Sequence, residues 1–199
     1  MPNVAAPTGL RPVGMVSGVP YSGSNRTYSI AAGDATAVYI GDAVKLAGTT
    51  QLINGSPYSD VVIAATGDVM LGVVVGILPS TRDSLTYRAA STQRLLLIAD
   101  DPNLLFEIAQ GSGGTALTAN DVGLNVDLSV VAGSTITGYS GSVINNATEA
   151  TTNTLDLKII GIVDRADNDI GTAVGTGAAS SRFLVRINRH QFANQVAGV

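Results

Sequence analysis

His190, the only histidine of the chain, lies in Asn188-Arg189-His190-Gln191 and is the first residue to weigh for chemistry. A histidine base activates a serine placed within hydrogen-bond reach, and the usual sequence sign is a Gly-x-Ser-x-Gly elbow. No such elbow occurs: Gly138-Tyr139-Ser140-Gly141 is one residue short and reads as a turn. His190 is therefore read as a surface or interface residue. A phosphate cradle would need Gly-x4-Gly-Lys-Ser/Thr, which is missing. Gly111-Ser112-Gly113-Gly114-Thr115-Ala116 matches the looser Gly-x-Gly-x-x-Ala, but the long helix a dinucleotide site requires does not follow. Gly123 and the strand-like Leu124-Asn125-Val126-Asp127 come instead, so 111–116 reads as a flexible loop.

Metal and acid–base chemistry fare no better. The densest acidic run is Asp164-Arg165-Ala166-Asp167-Asn168-Asp169-Ile170-Gly171. A calcium loop wants oxygen ligands at alternate positions and glycine at the sixth, and neither register satisfies it, so a solvated turn is expected. Asp100, Asp101 and Glu107 are the carboxylates available for glycoside hydrolysis, which usually has aromatics lining its cleft. Six Tyr and three Phe are scattered along the chain and Trp is absent. Arg182 and Arg186 share one strand face near Arg189, which suits an acidic partner surface or simply the polar side of a strand. No catalytic residue, metal or cofactor is expected, and the chain reads as a protein that is not an enzyme.

The composition agrees. Of 199 residues 13% are charged and 45% hydrophobic, with 23 Gly and no Cys. The mean hydropathy of +0.31 argues against disorder. A net charge of -4 argues against a protein that grips nucleic-acid phosphates. Without cysteine there is no disulfide framework or thiolate metal site, which fits synthesis in a reducing cytoplasm. The start, Met1-Pro2-Asn3-Val4, has no signal-peptide character, so the Asn-x-Ser/Thr matches at Asn25, Asn54 and Asn146 carry no weight. The longest apolar stretch, Val69 to Leu78, is half of what a membrane helix needs.

These elements must be positioned by strands. Glu occurs only at 107 and 149 and Lys only at 45 and 158, and Gly or Pro recurs too often for helices of ordinary length. The short Val/Ile-rich runs predict strands near 26–30, 37–40, 42–46, 60–64, 69–78, 94–99, 104–108, 123–127, 142–144, 155–163 and 182–188. Asn54-Gly55 predicts a type I′ hairpin and Asp100-Asp101-Pro102-Asn103 a second turn. A single helical turn is expected near Thr118–Val122, capped by Thr118 or Asn120. About ten closely spaced strands predict an all-β fold, a jelly-roll-like β-sandwich or barrel.

Gly72-Val73-Val74-Val75-Gly76 followed by Arg94-Leu95-Leu96-Leu97-Ile98 has an echo in Ile160-Gly161-Ile162-Val163 followed by Arg182-Phe183-Leu184-Val185. Any β protein yields such pairs, and the echo is read that way rather than as a duplication. Residues 1–28 hold four of the seven prolines with isolated apolar residues between them. Proline at that density opposes helix and central strand alike. An extended N-terminal arm lying on another surface accounts for both features; a disordered tail is the alternative. The expected organisation is an arm over 1–28, a single β domain over 29–190 and a C-terminal tail over 191–199.

Ala6-Pro7-Thr8-Gly9-Leu10-Arg11-Pro12-Val13, then Gly18-Val19-Pro20-Tyr21-Ser22-Gly23, resembles the N-terminus of virion structural proteins of tailed bacteriophages. The resemblance continues through Leu97-Ile98-Ala99-Asp100-Asp101-Pro102-Asn103-Leu104 and Leu184-Val185-Arg186-Ile187-Asn188-Arg189-His190, and the family is that of capsid decoration, or cement, proteins. It implies a β-rich protein made in the host cytoplasm and bound to the outside of an icosahedral capsid after expansion. The implied partners are the major capsid protein and other copies of itself, as a homotrimer or else a dimer, with no nucleic acid or membrane. Leu10, Arg11, Pro12, Val13 and Tyr21 are the expected arm contacts, with Arg186 and His190 at the chain's other end. A tail or head-completion barrel component and a carbohydrate-binding β-sandwich module are the rival readings. Binding of a host-surface glycan could also coexist with cementing, since loops 111–120 and 171–181 would then face outward.

Overall fold

A computed structural model describes residues 6–170 and 181–193. The last part of the expected tail (194–199) and most of the 171–181 loop lie outside them. The strands are β1 (Arg11–Met15), β2 (Arg26–Ile30), β3 (Ala43–Ile53), β4 (Ser56–Ile63), β5 (Gly72–Ile77) and β6 (Arg94–Ala99). They are followed by β7 (Leu104–Ala109), β8 (Asn125–Ser129), β9 (Val143–Ala150), β10 (Leu157–Ile162) and β11 (Arg182–Ile187). Between β7 and β8 lies one 3-10 turn, Ala119–Asp121, with Thr118 as its cap. The Asn54-Gly55 hairpin forms with both residues at positive φ, 51° and 82°.

The all-β expectation holds, but the connectivity is not that of a jelly roll. Five strands close a barrel in the order β2-β4-β3-β5-β6, and six form a sheet in the order β1-β7-β11-β10-β8-β9. A parallel bridge between Gln110, just after β7, and Ile144 of β9 joins β7 to β9 and leaves β1 outside the closed circuit. Strands β7, β9, β8, β10 and β11 thus repeat the circuit of β2, β4, β3, β5 and β6.

The correspondence extends to pairing and backbone detail. In both units the first and third strands meet in parallel, at Ser29↔Asp60 and Gln110↔Ile144, and the other pairs are antiparallel. The fourth strand carries a bulge before glycine in each, between Val74 and Gly76 and between Ile159 and Gly161. Gly41 and Gly123 both have φ near the same value, 96° and 99°. Their N–H groups donate to Val74 and Ile159 at 2.8 and 2.9 Å, and Val74 and Ile159 donate in turn to Asp42 and Leu124, both at 2.9 Å. The sequence echo is therefore the visible part of a duplicated five-strand unit, which corrects the reading of it as incidental.

The two units share apolar surface. Val44, Val61, Leu71, Val74, Leu96 and Ile98 fill the first barrel. The neighbouring residues on the opposite strand faces, Ala43, Val73 and Ala99, join Phe106, Val126, Leu128, Ile144, Ile159 and Phe183 in a larger second cluster. Period-2 alternation thus lets β3 and β5 serve both cores.

The N-terminal segment does not run free. Leu10 is 1% exposed inside the larger core, and β1 pairs antiparallel with β7 from Arg11↔Glu107 to Met15↔Leu104. Pro12 is tolerated because β1 is the sheet's outer strand and its pairing shifts between Pro12 and Gly14. The chain then turns back through a Gly14↔Pro20 bridge, with Tyr21 N–H donating to Val13 O at 3.2 Å.

Candidate interaction surface

Among the described residues, Asp100, Glu107 and the side chains of Arg165, Asp167 and Asn168 in the acidic run are taken up in structural bonds. Asp100 accepts from the Tyr28 hydroxyl at 2.6 Å and pairs with Arg26 at 2.8 Å. Burial, then the bond to Asp100, pushes the Tyr28 hydroxyl up to about 12. Glu107 is buried between Arg165 and Arg182, each 3.1 Å from Oε1. In the acidic run, Arg165 also pairs with Asp167, and Asn168 is bonded through its side chain to Val163 O and to both backbone groups of Arg182. That makes the run a latch on β11. No group of three metal-ligating side chains is assembled among the described residues.

The 111–116 loop is also pinned rather than flexible. Asn146, buried on β9, accepts from Gly113 and Gly114 N–H at 3.1 and 3.3 Å and donates to Thr115 O at 2.8 Å. A side-chain amide thereby occupies the N–H groups that a phosphate would need.

The expected interface residues separate into two sets. Leu10 and His190 are corrected: both are buried within the chain, His190 at 3% exposure, and cannot meet a partner. The segment at His190 bridges in parallel to Met70, and His190 Nδ1 accepts from Phe192 N–H at 3.0 Å. Burial pulls the imidazole below its usual value, with Asp100 and Asp101 opposing and Arg186 adding to the effect. Phe192 lies under the Arg26 guanidinium, whose carbon is 5.4 Å from the ring centre. Arg186, half-buried, stands opposite Lys158 on β10.

Arg11 and Val13 do face outward, Pro12 is half-buried, and Tyr21 packs partly against the core. The turn after β1 adds Val16 and Val19, two of the isolated apolar residues that set the N-terminal segment apart from a solvated linker. Val13, Val16 and Val19 are 37%, 49% and 54% exposed, forming an apolar ridge on the hairpin. A second apolar stretch is the loop after β8, with Val130, Val131, Tyr139 and Ile136, the last 91% exposed. Pro12, Arg11 and Tyr21 on one side and Tyr139 and Ile40 on the other flank a cavity of about 390 Å³. Nothing in the sequence links these positions, because they lie on distant segments that meet through contacts such as the Ile40↔Tyr139 bridge.

The arrangement defines an all-β protein of two like barrels with a hairpin laid across their junction. Comparison with family models, curated proteins and solved structures returns no match. Among the described residues, no helix is long and apolar enough to cross a membrane.

Proposed function

We propose that this chain is a virion structural protein that binds the outer surface of an icosahedral phage capsid and stabilises it by bridging neighbouring capsomers. The observation that carries the reading is the Val13, Val16 and Val19 ridge on a hairpin fixed to the body through the pairing of β1 with β7. A half-exposed valine contributes about 1 kcal/mol when a partner covers it, and binding repeated over a shell adds up. Preference for the expanded shell would stabilise that state by linkage. The decoration-protein resemblance of residues 6–23 supports the same conclusion. So does the duplicated barrel, which offers two like bodies suited to spanning two neighbouring subunits. The interface narrows to Arg11, Val13, Val16 and Val19, since Leu10 and His190 are committed to the interior. A homotrimer is the favoured assembly.

Co-sedimentation with expanded and unexpanded shells of the virus that encodes the chain tests this. The protein should pellet with expanded shells only. V16D/V19D should lose at least about tenfold in affinity with unchanged thermal stability. Failure of the wild-type chain to bind expanded shells, or undiminished binding by the variant, overturns the reading.

A further inference from the structure

We propose that the cavity between the N-terminal segment and Tyr139 is a binding site for a carboxylate carried on an apolar body. Its volume, about 390 Å³, falls within the range of small-ligand pockets. Leu10, Ile40, Val74 and Val75 supply apolar walls, and Tyr21 and Tyr139 supply rings. No acidic residue is among its described lining, so a cation has nothing to bind.

Two polar groups at the site are without partners. Arg11 makes no ion pair or hydrogen bond among the described residues, although its strand neighbour across β7 is Glu107. The reason is that Glu107 is already matched by Arg165 and Arg182. The charge of Arg11 is thereby left for something outside the chain. The Thr8 hydroxyl oxygen is buried without a hydrogen-bond partner, and Thr8 is among the residues that line the cavity. A carboxylate pairs with the guanidinium, and rotation of the Thr8 side chain about χ1 brings its hydroxyl out to donate to the second oxygen, while the apolar body rests on Val74 and Val75. Charge-assisted bonds are the stronger class, and a buried hydroxyl left unpaired is costly, so the pair favours this ligand over a neutral one.

The walls are rigid where they matter. Gly9 and Gly41 are in direct backbone contact, with a Cβ on Gly41 falling 2.2 Å from Thr8 O. The Leu10 N–H donates to Gly41 O at 2.9 Å. Thr8 and Arg11 flank this crossing, so their positions are set by the backbone and not by a ligand.

The same chemistry occurs in a free apolar acid and in the last residue of a polypeptide. Isothermal titration of the full chain with 3-phenylpropanoate, its primary amide, and a hexapeptide ending in leucine as free acid or amide separates them. At least one free acid should bind and its amide bind at least about tenfold more weakly. Arg11→Gln should weaken the acid by about tenfold or more, and Thr8→Val by a few-fold, with unfolding temperature unchanged for Arg11→Gln. Binding of the small acid assigns a free metabolite as the source; binding of the peptide acid alone assigns a chain terminus. The proposal is overturned if no free acid binds at about 10 mM, if acid and amide bind alike, or if Arg11→Gln leaves the affinity unchanged. Each of these outcomes leaves the capsid reading standing, because that reading is tested by the wild-type chain and V16D/V19D on expanded shells, which change neither Arg11 nor Thr8.

Discussion

Gly9→Ala tests whether the N-terminal segment is built into the body. Gly9 has φ of +65°, and a Cβ there would lie 2.4 Å from Gly41 O and 2.6 Å from Ser140 Cβ. The left-handed backbone alone costs a non-glycine residue about 1–2 kcal/mol. Overpacking against backbone atoms adds about 1–3 kcal/mol, since neither obstacle is a flexible side-chain end. Alanine's smaller unfolded-state entropy returns about 0.5 kcal/mol, leaving a net loss of about 2–4 kcal/mol. For a chain of this length that lowers the unfolding midpoint by roughly 5–15 °C. Gly48→Ala is the control: Gly48 has φ of +78° but nothing within 4 Å of its Cβ, so it reports backbone strain alone. Calorimetry of both variants, with hydrogen exchange read at residues 8–15, separates steric from conformational cost. Gly9→Ala should lose clearly more stability than Gly48→Ala and should deprotect the Leu10 amide. Equal losses with unchanged protection would refute the packed crossing.

Two further perturbations address the interior. Arg88 is 0% exposed and donates to the carbonyls of Thr92, Ala31 and Asp34 at 2.7, 2.8 and 2.9 Å and to Thr36. Arg88→Met should cost about 3–5 kcal/mol in denaturant unfolding, and Arg88→Lys should not restore it, because an ammonium cannot span carbonyls on two segments. His190 has an imidazole held below its usual 6.5 by burial, so the folded chain disfavours its protonation. Its contribution is complete above that value and declines as pH falls through the folded value, at no more than about 1.4 kcal/mol per pH unit. The buried carboxyls of Asp42 and Asp156 are pushed up by burial and act in the opposite sense, their contribution declining as pH rises. A His190→Gln comparison isolates the histidine: its stability profile should be flatter than wild type below neutral pH, and parallel profiles would count against the assignment.

Strand positions were legible because each is a short apolar run between turn residues. β6, Arg94–Ala99, matches the sequence reading residue for residue, and β2 does likewise. The run over 37–40 was not resolved as a strand, since Val38 and Ile40 make only isolated bridges, to Arg88 and Tyr139. β1 was missed because proline density was read as opposing any strand, whereas an outer strand with a shifted register accommodates Pro12. Arg88 was passed over altogether: a lone arginine between alanines and tyrosine carries no local sign that four carbonyls converge on it.

Composition and period-2 patterning by themselves determined an all-β chain with no sequence motif for nucleophilic or phosphate chemistry, because turn residues and alternation act over a few positions. Which strands close on which, the repetition of one five-strand circuit, the burial of Leu10 and His190, and the exposure of the Val13, Val16 and Val19 ridge belong to the tertiary structure alone. Register and barrel closure depend on pairings between distant segments, and a side chain's environment is set by what the far end of the chain brings against it.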